Sequence, residues 1–235
     1  MTDYHEPILP GQGASDYERY IRTDELLSLQ KTPAEMRHRD ELLFQTVHQS
    51  AELWLKLACT EIAEASARMA VDELAAGVRL LRRATDCLEI VTRDLQMLEH
   101  MTPWDYQAVR AALGHGSGFD SPGFTRLLAV AEDLGATFEA LLERRGVPLE
   151  ELYTHDLAHD ELYRTAELLL DLDERVTVWR FQHFQVVRRT IGAHVIGTQG
   201  TPVEVLGKRI AHQFYPELWQ ARDELTRLAK QAREE

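Results

Sequence analysis

Two histidines lie on the apolar stripes of segments whose residue spacing is helical. In the segment DELLFQTVHQSAELWLKL, His48 aligns with Phe44, because residues three or four positions apart share one face of a helix. In the segment VTVWRFQHFQVVRRTIG, His183 aligns with Trp179 in the same way. The full stripes are Phe44, Val47, His48, Ala51 and Leu55, and Val176, Trp179, His183, Val186, Val187 and Thr190. Both imidazoles are predicted to point inward.

An imidazole in such a position has two interpretations. It is either a core side chain bonded to a backbone carbonyl, or a group that faces a bound partner. Two such histidines, each among aromatic and branched side chains, favour a bound haem. A haem has a flat apolar face that needs such walls, and its iron accepts a neutral imidazole nitrogen as an axial ligand. Spacing alone leaves the core interpretation open.

A third segment, TPWDYQAVRAALGHGSGF, combines a possible carboxylate clamp with a glycine-rich loop. Tyr106 and Arg110 stand four positions apart and share a helix face. The guanidinium could bind a carboxylate with two parallel hydrogen bonds, and the tyrosine hydroxyl would add a third donor. The alternative is a solvated arginine packed over the ring. The glycines are predicted to line a ligand pocket, because no strand precedes them and no Lys-Ser or Lys-Thr follows, as a phosphate loop requires.

A non-haem metal site is a further alternative. In HDLAHDE, His155 and His159 stand four positions apart, with Asp156 and Asp160 beside them. The chain has no HExxH motif and no paired ExxH signature that would supply more ligands. A solvated helix face is the preferred interpretation.

The elements that carry these residues are predicted to be helices throughout. Helical patterns cover about 17–30, 37–69, 71–100 and 176–191, and further helices begin at Pro103, Pro122 and Pro216. No alternating strand pattern of useful length occurs. We therefore predict an all-α helical bundle with the haem pocket between helices. Residues 1–15 are predicted to be a flexible arm, and 16–235 a single helical haem-binding domain.

Composition excludes several classes of function. The chain has 235 residues with 26 Lys and Arg against 39 Asp and Glu, so its formal net charge of −13 disfavours nucleic acid and anionic membranes as partners. Its two cysteines, Cys59 and Cys87, form no CxxC pair. No apolar run is long enough to span a membrane, and the first residues lack the pattern of a signal peptide. We expect a soluble, cytoplasmic protein.

Taken together, four segments resemble the tryptophan 2,3-dioxygenase family, whose members are haem enzymes that open the indole ring of tryptophan. The matching segments, in family order, are DYERYIRTDELLSLQ, RDELLFQTVHQSAELWLKL, TPWDYQAVRAALGHGSGF and VWRFQHFQVVRRTIG. The resemblance covers most of residues 16–118 and 176–219. It implies a helical homotetramer with interdigitated N-termini.

The resemblance also implies roles for the residues of the haem side. His183 would be the proximal iron ligand of a haem b, and His48 the distal histidine that hydrogen-bonds the indole nitrogen. Phe44 would pack on the indole. Ser117 and Gly118 would border the haem edge.

On the substrate side, the resemblance assigns the carboxylate of the amino acid to Arg110 and Tyr106. Thr198 would meet the ammonium and carboxylate groups. Tyr17 and Tyr20 would come from a neighbouring subunit to complete the pocket.

The implied reaction inserts O2 across the indole C2–C3 bond of L-tryptophan, or a close derivative, to give N-formylkynurenine. The chain departs from the family after the glycine loop, where DSPGFTR replaces the usual QSxQYR, and in a shorter middle between 118 and 176. One alternative is therefore a haem-dependent monooxygenase of a substituted indole in specialised metabolism. A second is a non-catalytic haem-binding or sensor bundle, against which the Tyr106 and Arg110 pair argues, because a sensor needs no carboxylate clamp.

Overall fold

The computed structural model describes residues 6–154 and 159–234, and its regular structure in these ranges is helical apart from one isolated bridge between Ile196 and Pro202. The helices are α1 (Asp16–Ile21), α2 (Thr23–Leu27), α3 (Asp40–Ala70), α4 (Leu74–Gln96), α5 (Pro103–Ala112), α6 (Pro122–Arg145), α7 (Glu151–Thr154), α8 (Asp160–Thr190), α9 (Glu204–Arg209) and α10 (Pro216–Glu234). Short 3-10 turns cover Met97–His100 and Gly118–Asp120. The all-α prediction is confirmed. Within the described ranges, no helix has the length and apolarity needed to cross a membrane.

The main core lies between the long helices α3, α4, α6 and α8. Helix α3 packs against both α4 and α6, and α4 packs against α8. Each helix contributes leucine or isoleucine side chains at helical spacing that are removed from water almost completely. Examples are Leu55, Ile62, Leu81, Leu134 and Leu169. This burial stabilises the bundle and holds the two histidine-bearing helices, α3 and α8, in one rigid frame.

A second, smaller apolar cluster lies where α3, α5 and α8 approach the 3-10 turn after α4. Its buried members are Val47, Leu95, Leu98, Met101, Val109 and Val186. Phe44, Tyr106 and Trp179 pack against it with one side of their rings. The cluster therefore positions Phe44 and Tyr106, which belong to the predicted site, and Trp179, which shares a helix face with His183.

Two helix starts agree with the capping signals in the sequence. Thr102 accepts a hydrogen bond from the backbone N–H of Asp105, and Pro103 occupies the first turn of α5. Ser121 accepts from the N–H of Phe124 at the start of α6. The Thr102 cap fixes the start of α5, and the Ser121 cap fixes the point at which the glycine-rich loop ends and α6 begins.

The helix predicted over 17–30 is broken, and this prediction is wrong. Arg22 adopts a left-handed conformation, with φ 59° and ψ 48°, and separates α1 from α2. Apolar side chains on both pieces are exposed, including Tyr20 and Leu27. A short helix gains most of its stability from packing, so these two pieces have little to hold them in one straight rod. The segment before α1 is attached to it, because Asp16 accepts from the backbone N–H groups of Ile8 and Leu9.

Candidate functional site

His48 on α3 and His183 on α8 lie near each other, and both keep access to solvent, so the space beside the two rings is called the cleft below. A positive charge on His48 would lower the pKa of His183, which shows that the two rings interact. The prediction that His48 points into the core is wrong, because its side chain is accessible to solvent while the adjacent Val47 is buried. The protein atoms packed around the ring nevertheless remove part of its hydration. Successive residues are rotated by about 100° around a helix, so Val47 faces the core and His48 faces the cleft.

The environment of His48 determines where its proton lies. Its Nδ1 is 2.7 Å from the carbonyl oxygen of Phe44, and its ring stacks on the Phe44 ring at 4.0 Å between centroids. A carbonyl oxygen only accepts, so Nδ1 must donate, and the neutral ring keeps a free lone pair on Nε2. Burial lowers the pKa of His48, against a smaller opposing effect of the Phe44 carbonyl and of Glu52. At neutral pH His48 therefore offers a hydrogen-bond acceptor.

His183 is a neutral imidazole without a polar partner in the described part of the chain. Burial lowers its pKa to about 4, although its side chain keeps some access to solvent. The ring lies parallel to that of Trp179, with 5.0 Å between centroids and 6° between planes. Within 6–154 and 159–234, neither ring nitrogen has a hydrogen bond to another residue. Such a nitrogen is available as a metal ligand.

The space beside His183 Nε2 fits a flat apolar group. A Cβ atom built on Gly118 would meet that nitrogen at 3.9 Å and no other atom within 4 Å. Glycine at this position therefore keeps the space open, whereas a larger side chain would project toward the nitrogen. Stacked aromatic rings stand on both helices, with Phe44 on α3 and Trp179 on α8. The neutral nitrogen, the open space and the apolar walls fit a haem held by His183.

Tyr106 and Arg110 lie together on α5, as their spacing predicts. Burial raises the pKa of the Tyr106 hydroxyl, and the charge of Arg110 opposes that shift only in part, so the hydroxyl stays protonated and can donate. The Tyr106 ring stands 6.4 Å from that of Phe44. Arg110 donates through Nη2 to the carbonyl of Ile196 at 3.0 Å. A guanidinium has five N–H donors, so several remain for an anionic group.

Two loops meet beside this clamp. Thr198 donates its hydroxyl to the carbonyl of Gly116 at 2.8 Å. Gln199 donates its side-chain amide to the carbonyl of His115 and to Asp120 Oδ2, at 3.2 and 2.7 Å. The structure therefore brings the predicted residue Thr198 to the glycine loop. Gln199 was missed, because no periodicity marks a residue in a loop.

The glycine loop ends in a 3-10 turn that Ser117 caps. Its hydroxyl accepts from the N–H of Phe119 at 3.3 Å, and its own N–H donates to Asp120 Oδ2 at 3.0 Å. Ser117 and Gly118 are thus held at the loop end nearest His183.

Tyr17 and Tyr20, the remaining predicted site residues, are exposed to solvent. They are 69% and 78% exposed on α1, so neither ring is buried within its own chain.

The alternative metal site falls partly outside the described residues, because His155 and Asp156 lie in the gap at 155–158. Within 6–154 and 159–234, no group of three or more His, Cys, Asp or Glu side chains is arranged to hold a metal ion. His159 lies 4.0 Å from Glu151.

Comparison with known proteins agrees with this arrangement. The profile of the family described as tryptophan 2,3-dioxygenase matches residues 8–140 and 137–225. A tryptophan 2,3-dioxygenase of Exiguobacterium sibiricum is 30% identical over 89% of this chain and 92% of its own length. Proteins of the same name from Burkholderia ambifaria and Myxococcus xanthus are 31% and 29% identical, over 95% and 91% of this chain and 88% and 91% of their own lengths. The chain belongs to the tryptophan 2,3-dioxygenase family.

Proposed function

We propose that this protein is a haem-dependent tryptophan 2,3-dioxygenase, which inserts both atoms of O2 across the indole C2–C3 bond of L-tryptophan, or a close derivative, to give N-formylkynurenine. The observation that carries the proposal is the neutral, unpartnered imidazole of His183 opposite His48 in a chain of this family. The names of the relatives support an oxidoreductase that acts on tryptophan and O2. The names of these relatives support neither of the two alternatives, the indole monooxygenase and the haem sensor.

His183 would hold a haem b, with Trp179 against the imidazole and with Ser117 and Gly118 at the haem edge. When bound, ferrous haem supplies the iron that activates dioxygen. The depressed pKa of His183 suits this role, because an iron ligand must be the neutral imidazole.

His48 would orient the indole ring. Its Nδ1 proton is committed to the Phe44 carbonyl, so Nε2 accepts from the indole N–H. The Phe44 ring, which is stacked with His48, would pack on the indole face. A hydrogen bond at one edge and a ring at one face hold the C2–C3 bond in a single orientation.

Arg110 and Tyr106 would bind the substrate carboxylate, and Thr198 would contact the carboxylate and ammonium groups. A charge-assisted hydrogen bond from a guanidinium contributes roughly 1.5 to 3 kcal/mol. The two ends of the amino acid would therefore be held by α5 on one side and by His48 on the other.

We further propose a homotetramer in which Tyr17 and Tyr20 complete the pocket of a neighbouring subunit. Their exposure within one chain supports this placement, because large aromatic side chains gain stability when they are covered. The free, buried thiols of Cys59 and Cys87 suit a reducing compartment such as the cytoplasm.

The test is the visible spectrum of the purified protein, recorded with dithionite and then with L-tryptophan and oxygen. We expect a ferrous haem spectrum and a product with the absorbance of N-formylkynurenine, two oxygen atoms heavier than the substrate. A product one oxygen atom heavier would indicate the monooxygenase, and bound haem without any product would indicate the sensor.

Two substitutions test the roles of the histidines. His183→Ala should lose haem, whereas His48→Ala should retain haem and lose turnover. Equal haem loss in both variants would indicate two axial histidines.

A further inference from the structure

We propose that Glu52 and Phe124 are positioning residues that fix the orientation of the His183 imidazole through the start of helix α6. The inference rests on the proposed function, because it assumes that His183 is the iron ligand. It concerns residues that contact neither the indole nor the carboxylate in the arrangement described above.

Glu52 on α3 joins this helix to the start of α6. Its Oε1 accepts from the Ser121 hydroxyl, and its Oε2 accepts from the N–H of Gly123 at 2.9 Å. The partially positive helix N-terminus favours a carboxylate at this point. A Cβ atom on Gly123 would approach Glu52 Oε2 to 2.7 Å and Leu55 to 2.8 Å, so only glycine allows this contact. The first turn of α6 is therefore held in one place against α3.

Phe124 extends this connection to α8. It follows Gly123 directly, and its N–H donates to the Ser121 hydroxyl at 3.1 Å. Its ring packs on Trp179 with 3.9 Å between centroids. Trp179 in turn lies parallel to His183 at 5.0 Å. A continuous set of contacts thus runs from Glu52 through Phe124 and Trp179 to the imidazole.

Stacking on Trp179 orients the His183 ring, a role that a hydrogen bond usually has for a metal-bound histidine. A metal-bound histidine commonly donates its second ring N–H to a carboxylate or carbonyl, which sets the ring orientation. In the described part of the chain, His183 has no such partner, and the parallel Trp179 ring is the contact that can orient the imidazole. A change that releases Phe124 removes the support behind Trp179, so the imidazole gains rotational freedom about the line of the iron bond.

Two substitutions and two matched controls test the proposal in the haem-loaded protein. Glu52→Ala removes the carboxylate, and Phe124→Leu removes the ring. Glu61→Ala is the control on the same helix, because the Glu61 carboxylate likewise bonds to a neighbouring helix, accepting from Arg83 on α4 at 2.9 Å. Phe138→Leu is the control within α6, where Phe138 is buried in the main core. The controls cost stability without touching Trp179 or the start of α6.

The readouts are haem transfer to apomyoglobin and the iron–imidazole stretching band of the ferrous protein by resonance Raman. Loss of a residue that orients a metal ligand typically weakens metal retention by about 10–100-fold, so Glu52→Ala and Phe124→Leu should release haem at least about tenfold faster and broaden or shift the band. The controls should leave both unchanged. Glu52→Gln and Phe124→Tyr should restore most of the wild-type values. Equal effects of the controls, or an unchanged band in the two test variants, would overturn the proposal.

A haem-independent measurement separates this inference from the proposed function. In apoprotein with 13C-labelled histidine, the parallel Trp179 ring should shift the Cε1 proton of His183 upfield. Phe124→Leu and Glu52→Ala should reduce that shift, and Phe138→Leu should not. Failure of the wild-type protein to bind haem would refute the function alone, whereas an insensitive shift would refute the positioning role. If Glu52→Ala or Phe124→Leu fails to fold, Ser121→Ala takes its place, because it removes the hydroxyl that joins Glu52 to the start of α6, and it should reduce the same shift.

Discussion

At the scale of single residues, burial and one backbone hydrogen bond give His48 its chemical character. The Phe44 carbonyl selects the tautomer, and burial keeps the ring neutral by lowering its pKa below the ordinary value. The same imidazole in water would be partly protonated just below neutral pH and would then have no acceptor nitrogen.

The pH dependence of tryptophan binding should report this lowered pKa. Because the neutral form of His48 is the acceptor, the KM for tryptophan should stay constant as the pH falls from 8 through 6.5, and rise only at lower pH. Steady-state kinetics across this range provide the measurement. In His48→Gln the KM should be higher at every pH and should not rise further as the pH falls. A rise in KM centred at or above pH 6.5 in the wild-type protein would contradict the assignment.

Cys59 should be almost unreactive in the folded protein. Burial raises its pKa to about 11, and burial also raises the pKa of Cys87. At pH 8 the thiolate fraction of Cys59 is then roughly a hundredfold below that of an ordinary thiol, whose pKa is about 8.5 to 9. Titration with a disulfide reagent should find neither thiol reactive at first, and both reactive in guanidinium. Rapid native modification that Cys59→Ala abolishes would show that the thiol is accessible.

At the scale of elements, a single buried carboxylate attaches the last helix to α8. Asp173 Oδ2 accepts from the N–H of Phe214 at 3.1 Å and from the indole N–H of Trp219 at 2.9 Å. The other oxygen, Oδ1, and the hydroxyl of Tyr215 are buried without a partner among the described residues. The backbone N–H of Tyr215 donates to the same oxygen at 3.5 Å, so three donors from the α10 region depend on one oxygen atom.

Asp173→Ala should destabilise the protein by about 1–3 kcal/mol for each donor that it leaves unpaired. Asp173→Asn keeps one acceptor oxygen and should lose less. Tyr215→Phe removes an unsatisfied hydroxyl and should cost little. Urea unfolding at one fixed protein concentration, followed by tryptophan fluorescence, measures all three. Equal losses for the Ala and Asn variants would show that the hydrogen bonds to Asp173 contribute nothing.

At the scale of the whole molecule, we proposed that the exposed N-terminal helices of one subunit complete the substrate pocket of its neighbour. In that case, an arm-deleted variant that lacks residues 1–22 and an Arg110→Met variant should each be inactive. Co-refolding them should restore turnover, because some pockets then combine an intact Arg110 with an intact arm from the neighbour. Turnover of L-tryptophan by the mixture, with each parent alone as control, is the measurement. A mixture no more active than its parents would contradict shared pockets.

The chain is also shorter than its relatives within the matched region. Its alignment with the Exiguobacterium sibiricum protein extends over 260 positions, more than the 235 residues present here. The two matched stretches of the family profile meet within α6, at residues 137–140. The residues of the candidate site lie outside this junction, on α3, α5, α8 and the loops beside them.

The sequence by itself determined the long helices, the caps of α5 and α6, and three pairs of residues that share a helix face, namely Phe44 with His48, Tyr106 with Arg110, and Trp179 with His183. These features follow from local geometry, because residues three or four positions apart are neighbours in any helix. Only the tertiary structure decided that His48 faces the cleft, that Arg22 breaks the first helix, and that Glu52 holds the start of α6. Glu52 and Gly123 are 71 positions apart, and no periodicity within one segment encodes such a contact. Their meeting depends on how the apolar faces of α3 and α6 pack, which is a property of the whole core.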